Sequence, residues 1–183
     1  MDLRNSFQPF QKPNKSVDSR DSYELSTSKS KQSKIENVAH SGGFRYENGM
    51  VYVGTWNTEG QKHGYGHLLI PQGTRYDGFF HENLFTGLGL LTFPDGAKYE
   101  GEFLDGWYHG YGVFWRADGM RYEGQFRGGK MWGLGVVTFS DGSNGFPKYE
   151  GFFENCKFLK KCDCAEVVQK AQKVAFMARN YQK

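Results

Sequence analysis

Residues 99–121 read YEGEFLDGWYHGYGVFWRADGMR, and this unit decides the fold because the chain repeats it. Its opening phrase, Tyr-x-Gly-x-aromatic, begins at Tyr52, Tyr76, Tyr99, Tyr122 and Tyr149, with spacings of 24, 23, 23 and 27 residues. A Gly-x-Gly phrase recurs with the same period and begins at residues 64, 87, 110 and 133. A fixed period in the twenties is typical of a repeat protein, in which each unit buries its apolar face against its neighbours.

Each unit has the pattern of a β-hairpin. The phrase Tyr99–Phe103 predicts the first strand, residues 104–109 a loop, and a segment such as Gly87–Phe93 the second strand. Asp-Gly pairs such as Asp95-Gly96 then supply the positive-φ position that a tight turn into the next unit needs. The sequence therefore predicts an all-β repeat fold, a single-layer elongated antiparallel β-meander.

Three regions differ in composition. Residues 1–39 are rich in Ser and Lys and predict a disordered tail, and residues 40–154 predict the repeat sheet, a half unit plus about four to five repeats. Residues 155–183 predict a basic linker and an amphipathic helix over 163–181, with Asp163 and Glu166 as a capping box. We expect the helix to cap the last repeat or to lie along the sheet and protect its edge. Its apolar positions are Ala165, Val167, Val168, Ala171, Val174, Ala175, Ala178 and Tyr181.

Charge and motif content narrow the function. Residues 40–154 carry nine Lys/Arg and thirteen Asp/Glu, whereas residues 155–183 carry seven and two, so an acidic body precedes a basic end. An acidic main surface argues against nucleic-acid binding. The Gly-x-Gly phrases lack the third glycine and the helix of a phosphate loop, and no G-x-S-x-G motif is present, so we expect neither an enzyme nor a cofactor. No apolar run is long enough to span a membrane and no secretory signal is visible, which predicts a cytoplasmic protein.

The three clustered cysteines are expected to be plain thiols, with acylation or zinc binding as alternatives.

The aromatic residues of the repeats share one face of the predicted sheet. Side chains alternate along a strand, so Tyr99, Gly101 and Phe103 point the same way. We predict that glycines and rings form a partner-binding groove there, although rings packed only on one another would give the same pattern. The predicted groove residues are Tyr52, Trp56, Tyr76, Phe80, Tyr99, Phe103, Tyr122, Phe126, Tyr149 and Phe153.

The opposite face carries a column of acids, one per repeat. Asp77, Glu100, Glu123 and Glu150 stand at the second position of the Tyr-x-Gly phrase. Such a column could attract a basic segment of a partner, or it could be a solvated face.

The phrases together resemble MORN repeats (membrane occupation and recognition nexus) over residues 42–154. Segments at the C-terminal end resemble a subgroup of that family whose members bind class III myosins: residues 139–147, 154–159, 167–172 and 178–180. The resemblance implies a non-enzymatic cytoplasmic adaptor whose groove residues bind the tail of a class III myosin. It also implies a location in actin-rich projections, such as photoreceptor rhabdomeres, filopodia or stereocilia.

An alternative is a module that binds anionic lipids, since MORN repeats have been proposed to bind phosphoinositides. A basic amphipathic end that could contact a membrane surface supports it. Its possible lipid contacts are Lys157, Lys160, Lys161, Lys170, Lys173 and Arg179.

Overall fold

The computed structural model describes residues 38–140 and 148–181, which form an 11-stranded open sheet and a C-terminal helix. Every strand pairs antiparallel with its neighbour in sequence, so the predicted meander is confirmed. The elements are β1 Val38–Arg45, β2 Val51–Asn57, β3 Lys62–Leu69, β4 Arg75–His81, β5 Leu84–Thr92, β6 Lys98–Leu104, β7 Trp107–Trp115, β8 Arg121–Arg127, β9 Lys130–Thr138, β10 Lys148–Glu154, β11 Lys157–Lys161 and α1 Ala165–Asn180, with a short 3₁₀ turn at Pro71–Gly73.

Two kinds of turn connect the strands. Between repeats, Gly96 has a φ of 89° and the Asp95 carboxylate accepts the Ala97 N–H at 2.9 Å, as the Asp-Gly pair predicts. Within the hairpin β6–β7, only Asp105 and Gly106 turn the chain, with φ values of 49° and 84°. Both residues are left-handed, as a two-residue type I′ turn requires. The predicted loop over 104–109 is therefore too long, because strand pairing reaches the turn.

The two ends of the chain depart from the predicted boundaries. β1 begins at Val38, inside the predicted disordered tail, whose residues 1–37 lie outside the described part of the chain. The predicted linker after residue 155 is wrong in part, because Lys157–Lys161 forms β11 and pairs with β10. A two-residue turn at Asn155 and Cys156, both with positive φ, connects β10 to β11 in one more hairpin. The repeat sheet thus extends past the predicted end at residue 154.

The helix α1 lies across the sheet rather than at its edge. It contacts β5 to β9 and leaves β1 and β11 as the two edge strands. The carboxylate of Asp163 accepts the Ala165 N–H at 2.9 Å, and Cys164 is the N-cap residue. The helix therefore lies on the sheet and does not cap the last repeat, and the expected protection of an edge is wrong, because β1 and β11 carry no comparable helix contact. Within the described residues, no helix has the length and apolar character needed to cross a membrane.

Candidate functional site

Four of the five repeated tyrosines lie directly over the glycines of their own hairpins. A Cβ atom added to Gly101 would lie 2.5 Å from the Tyr99 hydroxyl oxygen, and one added to Gly112, directly across the hairpin, would meet the same atom at 2.5 Å. The Tyr99 hydroxyl donates a hydrogen bond to the Glu102 carbonyl at 2.9 Å. Tyr52, Tyr76 and Tyr122 have the same arrangement with their own glycine pairs. The tyrosine rings therefore occupy the space above the glycines, so the glycines do not line an open groove.

The second aromatic of each phrase packs edge-on against these tyrosines. The Phe103 ring lies 5.1 Å from both Tyr99 and Tyr76, so it connects one repeat to the one before. Such edge-to-face pairs contribute beyond their buried area, by about 0.5–1.5 kcal/mol each. Nine of the ten predicted groove residues are buried in this cluster, whereas Tyr149 is 53% exposed. Of the two interpretations, the structure shows the nine rings packed on one another; whether any of the ten contacts a partner stays a prediction.

Burial also changes the ionisation of the tyrosines. Desolvation raises the pKa of Tyr76 and Tyr99 well above the usual value of 10.0. It raises the pKa of Tyr52 and Tyr122 in the same direction. The four phenols stay protonated in the folded state, where each donates its hydrogen bond to a backbone carbonyl.

The acid column, defined as Asp77, Glu100, Glu123 and Glu150, is largely buried and paired with bases. Asp77, Glu100 and Glu123 are buried and Glu150 is partly exposed, so the solvated-face interpretation is wrong. Each acid is paired with the basic residue two positions earlier on its own strand, at N–O distances of 2.6, 2.8, 3.1 and 3.5 Å in chain order. These bases are Arg75, Lys98, Arg121 and Lys148. A column neutralised in this way has little net charge left to attract a basic partner.

Side chains of α1 complete the column. Arg179 contacts the Glu100 carboxylate through Nη2 at 2.8 Å and Nε at 3.1 Å. The Gln172 amide donates to Glu123 at 2.8 Å, and Glu150 accepts the backbone N–H of Cys164 at 3.0 Å. Arg179, whose side chain is 50% exposed, thus pairs with a buried carboxylate, and its role as a lipid contact stays a prediction.

Small residues bring α1 close to the sheet. Ala171 and Ala175 are buried against Val113, beside the partly buried Tyr111 and Trp115. Small side chains on one helical face allow close approach, so larger residues at these positions would lift the helix. The helix–sheet contact therefore depends on both the alanine face and the column.

Tyr181, the residue that follows α1, extends the contact to β4 and β3. The Tyr181 ring lies 4.7 Å from Phe79 and 5.7 Å from Tyr65, on β4 and β3. On the same face of the sheet, α1 contacts β1 to β4 much less than it contacts β5 to β9. We call the residues of β1–β4 on this side the open face: Ser41, Gly43, Arg45, Val51, Val53, Thr55, His63, Tyr65, His67, Leu69, Arg75, Asp77, Phe79 and His81.

The C-terminal edge carries the basic residues. All five residues of β11 are exposed, including Lys157, Lys160 and Lys161. Lys170 and Lys173 are exposed on α1. The structure therefore places three of the six predicted lipid contacts on an edge strand and two on the outer surface of α1, while the half-exposed Arg179 pairs with the buried Glu100.

The cysteines lie beside this edge. Burial raises the pKa of the Cys156 and Cys164 thiols, and the Cys164 thiol contacts the Gly151 carbonyl at 3.5 Å. Cys162 is partly exposed, and all three cysteines are free. In the described part of the chain, no group of three or more His, Cys, Asp or Glu side chains could hold a metal ion.

The sequence itself contains a signal for the pairing of the acid column with bases. A Lys or Arg precedes the tyrosine in four phrases, at 75, 98, 121 and 148, and therefore faces the same way as the acid two residues later. That i, i+2 pairing predicts internal neutralisation of the column. The contacts from Gln172 and Arg179 could not be predicted, because they depend on where the helix lies.

Comparison with known proteins agrees with this geometry. The MORN repeat family model matches residues 52–75, 76–98, 99–121 and 122–144. The chain belongs to the MORN-repeat family. The four matched units begin at the tyrosines that lie on the glycine pairs, so each unit of the family pattern corresponds to one ring-filled hairpin.

A close relative covers most of this MORN-repeat chain. The chain is 66% identical over 139 residues, 76% of its length and 70% of the relative, to the MORN repeat-containing protein 4 homolog of Drosophila melanogaster. This relationship supports an adaptor role for the repeats.

Proposed function

We propose that the protein is a non-enzymatic adaptor whose repeat sheet binds a segment of a class III myosin tail. The observation that carries the proposal is that the sheet already binds one segment of its own chain on a preformed face. There α1 is held by Glu100, Glu123 and the apolar contact at Val113. A preformed face costs little ordering entropy, so an adjacent segment from a partner can bind efficiently.

The identity of the partner rests on the resemblance of the C-terminal segments to the myosin-binding subgroup. The relationship to the MORN repeat-containing protein 4 homolog supports this choice of subgroup. The proposal includes the location: a cytoplasmic protein that accompanies its motor into actin-rich projections such as rhabdomeres, filopodia or stereocilia.

Calorimetric titration of the full chain with a class III myosin tail fragment tests the proposal. We expect saturable binding with a Kd of about 1 µM or tighter, in the range of specific protein recognition. The tail of a class II myosin, titrated under the same conditions, is the control and should give no saturable heat. Equal heats for both tails, or none for either, would refute the proposal.

Tyr149 gives a sharper test of the predicted groove. It is the one ring of the ten that is more than half exposed, so Tyr149→Ala removes a partner contact with little loss of core packing. A lower affinity for the tail with an unchanged Tm would place the partner at β10. Unchanged affinity would remove the predicted groove from the partner contact, since the other nine rings are buried.

Membrane binding is the second candidate, favoured by the composition of β11. Phe158 and Leu159 are exposed beside the three lysines of that strand, which combines apolar surface with positive charge. Sedimentation with phosphoinositide vesicles compares the pair Lys157→Glu and Lys160→Glu with the pair Lys170→Glu and Lys173→Glu. Loss of sedimentation in the first pair alone would support β11, and absence of wild-type sedimentation would exclude this candidate.

A further inference from the structure

The helix covers only part of its face of the sheet. Its 16 residues span about 24 Å at about 1.5 Å per residue, the width of about five strands spaced about 4.8 Å apart. This matches its contacts with β5 to β9. The open face of β1–β4 continues the same surface, so whatever binds there would be an end-to-end neighbour of α1.

The open face has exposed apolar residues at its centre. Val53 and Leu69 are 49% and 47% exposed, and they stand on neighbouring strands. Phe79 and Tyr65 are partly buried and form the boundary with Tyr181. Exposed apolar residues beside an established helix contact form a surface on which a further segment can bury area.

The exposed charges on the open face are positive. They belong to Arg45 and to Arg75; the Arg75 side chain is 55% exposed but already pairs with Asp77 at 2.6 Å, so Arg45 supplies the net positive charge. The one acid on this face, Asp77, is buried and is already held by His67 and Arg75. The nearby acids Glu47, Glu59 and Glu82 lie in hairpin turns and not among the strand residues of this face. Guanidinium groups bind carboxylates with two parallel hydrogen bonds, so this charge pattern matches an acidic ligand.

Unsatisfied polar atoms mark the same place. Within the described residues, three buried side-chain polar atoms lack a hydrogen-bond partner, and two of them, Tyr65 Oη and His63 Nδ1, belong to the open face. A buried polar group without a partner costs about 1–3 kcal/mol. A carboxylate of a ligand that moves Tyr181 aside would accept from the Tyr65 hydroxyl and remove that cost.

We propose that the open face binds an acidic, apolar peptide segment of a partner, which crosses β1–β4 as α1 crosses β5–β9. Apolar side chains of the segment contact Val53 and Leu69, and a carboxylate of the segment pairs with Arg45. The proposal deepens the adaptor function and rests on it, but it does not depend on the partner being a myosin.

A phage-displayed library of random peptides, selected on the immobilised full chain, tests the proposal. Peptides of about twelve residues reach across the four strands, about 19 Å, in either helical or extended form. Selected peptides are then titrated against Leu69→Glu, Arg45→Glu and the control Leu104→Glu. Leu104 is the matched control because it is 47% exposed, like Leu69, and lies at the end of β6 outside the open face.

We expect peptides rich in Asp, Glu and apolar residues, whose affinity falls roughly tenfold or more in Leu69→Glu and Arg45→Glu through like-charge repulsion. Leu104→Glu should bind them as the wild type does. Basic peptides, an equal loss in Leu104→Glu, an unchanged affinity in Leu69→Glu, or no enriched peptide at all would overturn the proposal. If the library yields acidic peptides but the myosin tail does not bind, the open face is a binding site and the partner is not a class III myosin. If the tail binds Leu69→Glu as tightly as the wild type, the tail is a partner but does not bind at the open face.

Discussion

Gly101→Ala tests whether the rings need glycine beneath them. The new Cβ would lie 2.5 Å from Tyr99 Oη, 2.6 Å from Cζ and 2.7 Å from the Cα of Gly112. Carbon atoms in contact prefer about 3.5–4.0 Å, so the ring has to move by about 1 Å, and the Gly112 backbone cannot move without disturbing the hairpin. Overpacking of this kind costs about 1–3 kcal/mol, and losing the Tyr99 hydrogen bond adds about 1 kcal/mol. We therefore expect a loss of about 2–4 kcal/mol in the free energy of unfolding.

Urea unfolding followed by tryptophan fluorescence measures this loss. Gly42→Ala is the matched control, because a Cβ at Gly42 on the edge strand β1 meets nothing within 4 Å and its φ is not in the left-handed region. We expect the control to unfold within about 0.5 kcal/mol of the wild type. A Gly101→Ala variant as stable as the control would show that the ring does not depend on the glycine, and the account of the core would fail.

A double mutant makes the same test more specific. The Tyr99 hydroxyl oxygen is the side-chain atom closest to the new Cβ, and Tyr99→Phe removes it. The combined loss of Tyr99→Phe and Gly101→Ala should therefore be smaller than the sum of the single losses, by about 0.5 kcal/mol or more. Strict additivity would mean that the two sites do not interact.

Three further outcomes follow from the helix face and the buried groups. Arg179→Ala leaves the buried Glu100 with one cation fewer, so amide hydrogen exchange should accelerate across α1, while Lys173→Ala should leave it unchanged. A thiol reagent should modify Cys162 rapidly and the two buried cysteines only at the rate of unfolding, as peptide mapping would show. Burial raises the pKa of Tyr99 well above 10.0, so this phenol ionises in the unfolded chain at a lower pH than in the folded one. The free energy of unfolding should therefore keep this contribution below pH 10.0 and fall as the pH rises above it. In urea titrations at increasing pH, phenolate absorbance should appear together with unfolding.

Much of the fold could be predicted because its determinants are local and repeated. The phrase Tyr99–Phe103 specifies strand, face and glycine contact at once, and its spacing specifies the meander. β11 was missed because Lys157–Lys161 lacks the tyrosine phrase, and it becomes a strand by pairing with β10. Strand formation by edge pairing depends on a neighbour, which periodicity in the segment itself does not report.

The site was harder to predict because exposure depends on curvature. Alternation along a strand correctly placed Tyr99 and Glu100 on opposite faces, but it did not say which face closes on itself. The strand register shifts beside Gly101 and at the equivalent positions of three other hairpins, and bulges of this kind bend a strand and increase its twist. The rings then pack together, and the opposite face is left to bind the helix.

The positions that repeat and the positions that bind are therefore different. The tyrosine and the glycines are the same in every full unit because each hairpin needs them for its own core. The second-strand position facing the column differs between units: it is His67 in β3, Leu90 in β5, Val113 in β7 and Val136 in β9. Val113 packs against α1, whereas His67 pairs with Asp77 on the open face. A repeat sheet can keep its fold while these positions change, so we infer that partner specificity is encoded at the non-repeated positions of the helix-bearing face.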